Sequence, residues 1–199
     1  MAGRPPRTSP LRFGVVNGSE DQVTRWAVQA RGGDRDALER FVRATQRDVW
    51  RFVAHLEDVG VADDLTQETF LRALSGLRYF EARSSATTWL LSIARRVVVD
   101  QVRRARSRPR VSPEVDWVRA VDRERGVSSG FTDVVELNLL LDGLTAERRE
   151  ALVLTQVLGL GYAEAAQVAD CPIGTIRSRV ARAREDLLAA AGSDASETG

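Results

Sequence analysis

Four arginines near the C-terminus are spaced so that their guanidinium groups could bind DNA. Arg177, Arg179, Arg182 and Arg184 follow one another at steps of two, three and two residues, which on an α-helix spreads them over one broad face. The apolar residues of the same stretch recur at the three- and four-residue steps typical of a helix packed on a core: Ile173, Ile176, Val180, Ala183 and Leu187. A helix with an apolar stripe and an arginine face can lie in the major groove of DNA.

A solvated, arginine-rich surface helix would carry the same four arginines, so the preceding residues decide between the two interpretations. A short helical pattern over Ala163–Ala169 is followed by a tight turn at Asp170, Cys171 and Pro172. Two helices joined by such a turn form a helix-turn-helix, whose second helix enters the major groove. The sequence therefore favours a DNA-binding helix-turn-helix over a plain surface helix.

A second basic segment mixes arginines with aromatic residues. Residues 76–110 hold nine arginines and two acidic residues, a net charge of +7, whereas the whole chain carries +1. Tyr79, Phe80 and Trp89 could stack on unpaired bases while the arginines hold phosphates, as in proteins that bind single-stranded nucleic acid. The alternative is that Phe80 and Trp89 belong to the core, which is favoured for Trp89 because apolar residues adjoin it.

An acidic stretch has the residue types of a metal or acid–base site. It contains Asp63, Asp64 and Glu68. Two aspartates at a helix start are equally explained by the helix dipole, and a polar face with Phe70 and Leu71 as apolar anchors would suit a protein partner. We favour partner binding, because no further histidine or carboxylate cluster completes a site in the sequence.

The scarcity of metal-ligating and nucleophilic residues argues against an enzyme. The chain has one histidine and one cysteine, so neither a Cys/His zinc site nor Cys–His nucleophilic catalysis is expected. The P-loop, nucleophile-elbow and dinucleotide-binding patterns are absent from the sequence. We expect no catalytic residue, no metal and no cofactor.

The composition predicts a globular cytoplasmic protein. Of 199 residues, 43% are hydrophobic and 29% are charged, which suffices for one or two domains with a real core. No apolar run is long enough to cross a bilayer, so no membrane contact is expected, and the N-terminus lacks an apolar signal core. All 29 basic residues are arginine, a bias that a GC-rich genome explains better than function does.

Helical periodicity dominates the chain and predicts an all-α fold of two small helical domains joined by a flexible linker. Asp34 or Asp36 is expected to cap the second helix, Thr87 or Thr88 the fourth, and Thr145 a later one. The C-terminal domain carries the helix-turn-helix. The helices are predicted over Asp21–Arg31, from the Asp34–Asp36 cap to an end at Gly60, and over Ala62–Leu74, Trp89–Arg106, Thr132–Leu141, Ala146–Val157, Ala163–Ala169 and Pro172–Ala190.

Three ordered segments resemble one protein family: DDLTQETFLRAL at 63–74, TTWLLSIARRVVVDQVRR at 87–104, and LTAERREALVLTQVLGLGYAEAAQVADCPIGTIRSRVARAREDL at 144–187. The chain is similar there to extracytoplasmic-function (group 4) sigma factors of the sigma-70 family of RNA polymerase. It resembles actinobacterial members of the sigma-C type, which fits the lysine-free composition. The resemblance implies five parts: a flexible leader (1–19), sigma region 2 (20–106), a linker replacing region 3 (107–131), sigma region 4 (132–190) and a tail (191–199).

The resemblance also implies a role for each site. Core polymerase would bind through its β′ clamp helices to Asp64, Gln67, Glu68, Phe70 and Leu71. The promoter −10 element would be read and opened by Phe80, Arg83, Ser84, Ser85, Thr88, Trp89, Arg95, Arg96 and Arg103, with a flipped base near residues 80–85. The −35 element would be read by Thr175, Arg177, Ser178, Arg179 and Arg182. The apolar surface of Thr145–Val157 would meet the β-flap tip, and an anti-sigma factor is a further partner that such a protein could have.

Two other functions are compatible with parts of the sequence. A stand-alone transcriptional regulator would bind DNA through the helix-turn-helix without polymerase, although no obvious dimerisation helix is present. A metal-dependent nucleic-acid enzyme would use Asp63, Asp64 and Glu68 with a divalent ion. The second alternative is the weaker, because histidines and further clustered carboxylates are scarce.

Overall fold

The computed structural model describes residues 17–107 and 129–197, and in these two ranges the regular structure is entirely helical. The first range forms an N-terminal domain and the second a C-terminal domain. The helices of the N-terminal domain are α1 (Asn17–Arg31), α2 (Arg35–Leu56), α3 (Ala62–Gly76) and α4 (Ala86–Ser107). Those of the C-terminal domain are α5 (Ser129–Leu141), α6 (Ala146–Leu152), α7 (Tyr162–Val168) and α8 (Ile173–Glu197).

The N-terminal domain is organised around α2, which packs against α1, α3 and α4. The Asp34 carboxylate caps this helix by accepting a hydrogen bond from the backbone N–H of Ala37 at 2.9 Å, as the sequence predicts. Phe41 and Phe52 of α2 lie fully buried with Leu90 and Leu91 of α4. Burial of such side chains contributes about 1.5–3 kcal/mol each, so the core holds α3 and α4 at fixed positions beside α2.

The C-terminal domain contains the expected pair of helices with a sharp turn. Its core includes Leu154, Ile176 and Val180, all fully buried. The single helix predicted over 146–157 is instead α6 followed by a wider π-helical turn at Val153–Val157. The N–H of Leu158 then bonds to the carbonyl of Val153, an i→i−5 pattern that periodicity does not distinguish from an ordinary helical turn.

Several helix boundaries differ from the prediction. Helix α2 ends at Leu56, and the predicted end at Gly60 lies instead in a separate 3₁₀ turn, Val59–Val61. The start of α4 is at Ala86, where the Ser85 hydroxyl accepts a hydrogen bond from the N–H of Thr88 at 3.1 Å, so the expected cap at Thr87 or Thr88 is wrong. Thr145 precedes α6 but makes no side-chain cap bond. The last helix continues to Glu197, well into the predicted tail, because alanines at 189–191 favour helix.

Parts of three predicted segments lie outside the described residues. These are most of the leader, most of the linker and the end of the tail, at 1–16, 108–128 and 198–199. The described helices extend into the predicted segments from both sides. The first turn of α1 falls within the predicted leader, and α5 begins at Ser129, within the predicted linker.

The two domains contact one another through side chains as well as backbone. Helix α4 packs against α7, and α2 packs against α5 and α6. His55 Nδ1 of α2 lies 2.7 Å from Asn138 Oδ1 of α5, and Asn138 Nδ2 donates to the carbonyl of Ala54 at 2.7 Å. Arg149 Nη1 reaches the carbonyl of His55 at 3.4 Å. The domains are therefore joined by specific polar contacts at the end of α2.

Candidate promoter and polymerase interfaces

The first turns of α8 present the predicted −35 residues on one outer face. Arg177, Ser178 and Arg182 are exposed, and Thr175 and Arg179 are half-buried. Their orientation is fixed from behind by the apolar stripe of the helix, which is inserted into the core: Ile176, Val180 and Ala183. Ile173, which the pattern assigned to that stripe, is 40% exposed at the helix start. The helix thus separates an anchoring face from an arginine face.

The turn before α8 constrains one of these arginines. Asp170 adopts a left-handed backbone with φ of 50°, which allows the sharp reversal between α7 and α8. Arg179 Nη1 lies 3.8 Å from the Cys171 thiol sulfur. The pKa of the Glu147 carboxyl is lowered by a hydrogen bond from its own backbone N–H, then by the Thr145 hydroxyl, with a smaller contribution from Arg179. Arg179 is therefore held partly by its own domain, whereas Arg177 and Arg182 are exposed and face outward.

The predicted −10 residues fall into a buried and an exposed group. Phe80 and Thr88 are 3% and 1% exposed, and the Phe80 ring lies 5.0 Å from that of Trp89. Arg83 is exposed and forms an ion pair with Glu81 at 2.5 Å. The burial of Phe80 and the packing of half-buried Trp89 against the core support the interpretation of both as core residues.

The loop itself, residues 80–85, has little regular structure. Ser84 and Ser85 are half-buried, and Ala82 has a φ of 55°, in the left-handed region. The Ser85 hydroxyl lies 2.8 Å from that of Thr88 and caps α4. Ser85 therefore shapes the start of α4, while Arg83 is exposed to solvent.

The three predicted DNA-binding arginines of α4 differ in accessibility. Arg96 and Arg103 lie on the exposed side of the helix. Arg95 instead crosses to the C-terminal domain, where its Nε donates to Glu150 Oε1 at 2.5 Å. Glu150 is 7% exposed, so this ion pair is largely shielded from water and joins a predicted −10 residue to the other domain.

Helix α3 presents a mixed polar and apolar face to solvent. Asp64 and Gln67 are exposed, Glu68 is half-buried, and Leu71 is 55% exposed. Phe70 is 9% exposed and belongs to the core. Leu74, three residues after Leu71, is 41% exposed. Sequence reasoning missed Leu74, although the i, i+3 step from Leu71 places it on the same face.

An ion-pair network steadies the acidic part of this face. Arg72 donates from Nε to Glu68 and from Nη1 to Asp100 of α4, each at 2.7 Å. The hydrogen bond from Arg72 lowers the pKa of the Asp100 carboxyl. Asp63 accepts a hydrogen bond from the Trp50 indole N–H at 2.8 Å. Asp63 thus has a structural partner in α2 and Glu68 has one in α3, and Arg72 links Glu68 to α4 through Asp100.

The described part of the chain shows neither a metal-binding cluster nor a helix suited to span a bilayer. Within residues 17–107 and 129–197, no three histidine, cysteine, aspartate or glutamate side chains come together as a metal site. Among the helices of the same ranges, none combines the length and hydropathy that a bilayer-spanning segment needs.

Known proteins are similar to this chain in sequence and in architecture. The family model for sigma-70 region 2 matches residues 41–108, and that for sigma-70 region 4 matches residues 135–187. An extracytoplasmic-function RNA polymerase sigma factor, SigC of Mycobacterium tuberculosis, is 57% identical over 181 residues, covering 90% of this chain and 97% of that protein.

Two solved structures resemble the fold. The sigma factor RpoE of Bartonella quintana, in complex with the anti-sigma factor NepR, superposes with a TM-score of 0.60 at 28% identity, covering 75% of this chain and 93% of that one. CnrH, in complex with the cytosolic domain of CnrY, has a TM-score of 0.67 at 23% identity, covering 87% and 99% respectively.

The class of protein is defined by the two helical domains, by the helix-turn-helix with its arginine face, and by the matches to sigma-70 regions 2 and 4. The chain belongs to the extracytoplasmic-function group of the sigma-70 family of RNA polymerase sigma factors. It is a promoter-specific transcription initiation factor.

Proposed function

We propose that the two domains act on the promoter through the surfaces described above while the chain is bound to core RNA polymerase. The observation that carries this assignment is the outward face of α8, where Arg177, Ser178 and Arg182 are exposed and the opposite face is buried. Arginine can donate two parallel hydrogen bonds to a guanine edge, and each such pair discriminates by about 1–3 kcal/mol. This face reads the −35 element in duplex form, with Thr175 and Arg179 at its edge.

The loop at 80–85 and the outer side of α4 take the −10 element. Arg83 and Ser84 meet the unstacked base, Ser85 and Thr88 shape the loop, and Phe80 and Trp89 form its apolar floor. Arg96 and Arg103 hold phosphates along α4, and Arg95 joins them once it leaves Glu150. Flipping a base out of the stack costs roughly a few kcal/mol. The contacts with the loop and with α4 offset this cost in the open promoter.

The outward face of α3 binds the β′ clamp helices. Asp64 and Gln67 supply polar contacts, and Leu71 and Leu74 supply apolar ones. The ion pair with Arg72 holds the Glu68 carboxylate in position. Phe70 contributes by holding the helix on the core. An exposed leucine pair beside carboxylates matches what a protein interface needs, an apolar centre with a polar rim.

Further partners follow from the family. The segment Thr145–Val157 is the candidate contact for the β-flap tip, although the apolar residues Ala151–Leu154 are buried here, so its exposed positions would make that contact. An anti-sigma factor is a further partner, since the RpoE relative was solved with one. The chain supplies no catalytic step of its own and lowers the initiation barrier by binding DNA and polymerase.

Separation-of-function variants test these assignments. Arg177→Ala is expected to reduce transcription that depends on the −35 element while leaving affinity for core polymerase unchanged. Leu71→Ala with Asp64→Ala is expected to weaken core binding while leaving duplex binding by the C-terminal domain unchanged. Equal loss of both activities in either variant would contradict the assignment of that surface.

A further inference from the structure

Helix α1 lies before the segment that matches sigma-70 region 2, which begins at residue 41, yet it packs on that segment. It contacts α2, α4 and the short 3₁₀ turn Leu77–Tyr79. Val23 and Ala27 are buried against the N-terminal core, at 9% and 0% exposure. The helix is therefore a fixed part of the domain, and its polar contacts are held in position.

Two side chains of α1 reach the two ends of the loop at 80–85. Arg31 Nη1 donates to the carbonyl of Phe80 at 2.6 Å, where the loop begins. Thr24 Oγ1 accepts a hydrogen bond from the backbone N–H of Ala86 at 3.0 Å, where the loop ends. Thr24 and Arg31 are seven residues apart, so they lie on the same face of α1 about 10 Å apart along its axis.

Burial of Phe80 and the Ser85 cap also hold the ends of the loop, but two backbone groups at these ends are satisfied from α1. The N–H of Ala86 is in the first turn of α4, where no carbonyl of the same helix is available to it. The carbonyl of Phe80 follows a 3₁₀ turn and precedes the left-handed residue Ala82. The Arg31 guanidinium donates to the Phe80 carbonyl, and the Thr24 hydroxyl accepts from the Ala86 N–H, so both backbone groups have a partner.

We propose that Thr24 and Arg31 are positioning residues for −10 recognition. By holding both ends of the loop against one rigid helix, they keep Arg83 and Ser84 in the shape that accepts an unstacked base. Neither residue touches DNA. This inference rests on the proposed function of the loop, and it extends the −10 apparatus to a helix outside the matched region.

The inference is tested by substitutions that remove each contact. Each of them is compared with a conservative substitution that keeps the contact. Thr24→Val keeps the size of the side chain, Arg31→Met keeps an unbranched apolar stem, and both remove the hydrogen bond. Arg31→Lys retains a charged donor and Thr24→Ser retains an acceptor. Arg25→Met is the matched control, because Arg25 lies on α1 and bonds within that helix to Gln22.

The readout is binding of polymerase holoenzyme to the non-template −10 strand of a promoter mapped by run-off transcription. A library randomised over that element gives the base preference as well. Arg31→Met and Thr24→Val are each expected to weaken strand binding about tenfold and to flatten the base preference. Arg31→Lys, Thr24→Ser and Arg25→Met are expected to stay close to the unaltered protein, and core affinity is expected to remain unchanged.

Two outcomes would overturn the inference, and they are distinguishable. If Arg83→Ala with Ser84→Ala weakens strand binding but neither α1 variant does, the loop reads the −10 element and α1 does not position it. If the loop double variant also binds normally, the assignment of the loop fails and the inference fails with it. If one α1 variant unfolds, the other still decides, since Thr24 and Arg31 hold separate ends.

Discussion

At the scale of single residues, burial separates side chains that the sequence treats alike. Phe70 and Leu71 are neighbours in one motif, but Phe70 is 9% exposed and Leu71 is 55% exposed. Among the arginines of α4, Arg96 faces solvent and Arg95 is paired with Glu150. Which residue of a motif holds the fold and which one meets a partner is decided by the helix face on which it lies.

The α8 arginines give a prediction at this scale. Arg177→Ala and Arg182→Ala are each expected to weaken binding to the −35 duplex by about tenfold to hundredfold, because a good arginine–guanine pair is worth about 1–3 kcal/mol. Arg184→Ala is the matched control: it removes the same charge from the same helix, but its Nη2 bonds to Gln156 within the domain at 3.0 Å. Electrophoretic mobility shifts at fixed salt measure the difference. Equal effects of all three variants would indicate a general loss of charge and no base reading.

The α3 pair gives a second prediction. Phe70→Ala is expected to lower the free energy of unfolding by about 3–5 kcal/mol, since it empties a buried site. Leu71→Ala is expected to change it by about 0.5 kcal/mol or less, as for other exposed positions, and to weaken core polymerase binding. Urea denaturation and core-binding titrations measure the two effects. Full stability and lost core affinity in Phe70→Ala would contradict the placement of this side chain in the core.

At the scale of elements, periodicity identified the helices because each of them has one apolar face and one polar face. The cap at Asp34 was predictable, since its carboxylate bonds within the next turn of the same helix. The cap at Ser85 was not, because Thr87 and Thr88 are equally good local candidates and Thr24 of a distant helix satisfies the neighbouring N–H of Ala86.

The candidate site was predictable to the level of segments. The arginine face of α8 was expected from spacing, whereas the contacts of Thr24 and Arg31 were not, since their partners are 62 and 49 residues away in the chain. The π-helical turn at Val153–Val157 leaves no sequence signal of its own, because it widens one turn of an otherwise regular helix. Contacts distant in sequence were the part that required the three-dimensional structure.

At the scale of the whole molecule, one contact between the two domains involves Arg95, which is also a proposed −10 residue. The Arg95–Glu150 ion pair joins α4 to α6. His55 and Asn138 meet nearby, between α2 and α5. In this structure Arg95 is paired with Glu150. Arg95 can therefore contact −10 DNA only after this ion pair separates.

Glu150→Gln is therefore expected to release Arg95. The isolated protein with this substitution should bind −10 strand DNA about tenfold more tightly, since a charged hydrogen bond no longer competes with the phosphate. Asp186→Asn is the matched control, because Asp186 pairs with Arg148 inside the C-terminal domain at 2.5 Å. Fluorescence anisotropy with a labelled strand measures both. Equal gains in the two variants would point to a simple effect of net charge.

The domain contact is also expected to depend on pH. Burial lowers the pKa of the His55 imidazole, and the nearby Arg51 of α2 and Arg149 of α6 lower it further, while the hydrogen bond with Asn138 opposes them. The docked form therefore disfavours the protonated imidazole, and exposure would return the pKa of His55 toward about 6.5. Protons bind more readily to the separated form, so docking is expected to weaken as the pH falls below about 6.5.

Energy transfer between fluorophores placed on the two domains measures this effect. The unaltered protein should lose transfer between about pH 7 and pH 5.5, and His55→Gln, which does not titrate, should respond much less. An identical pH response in both proteins would assign the effect to other groups.

Run-off transcription with purified core polymerase on genomic DNA fragments, with and without this protein, tests most directly whether the chain directs promoter-specific initiation. We expect discrete new transcripts that appear only when the protein is present, and we expect them to be lost when the Arg177→Ala variant or the Leu71→Ala, Asp64→Ala double variant replaces it. No new transcripts, together with tight duplex binding by the protein alone, would instead indicate a regulator that acts without polymerase.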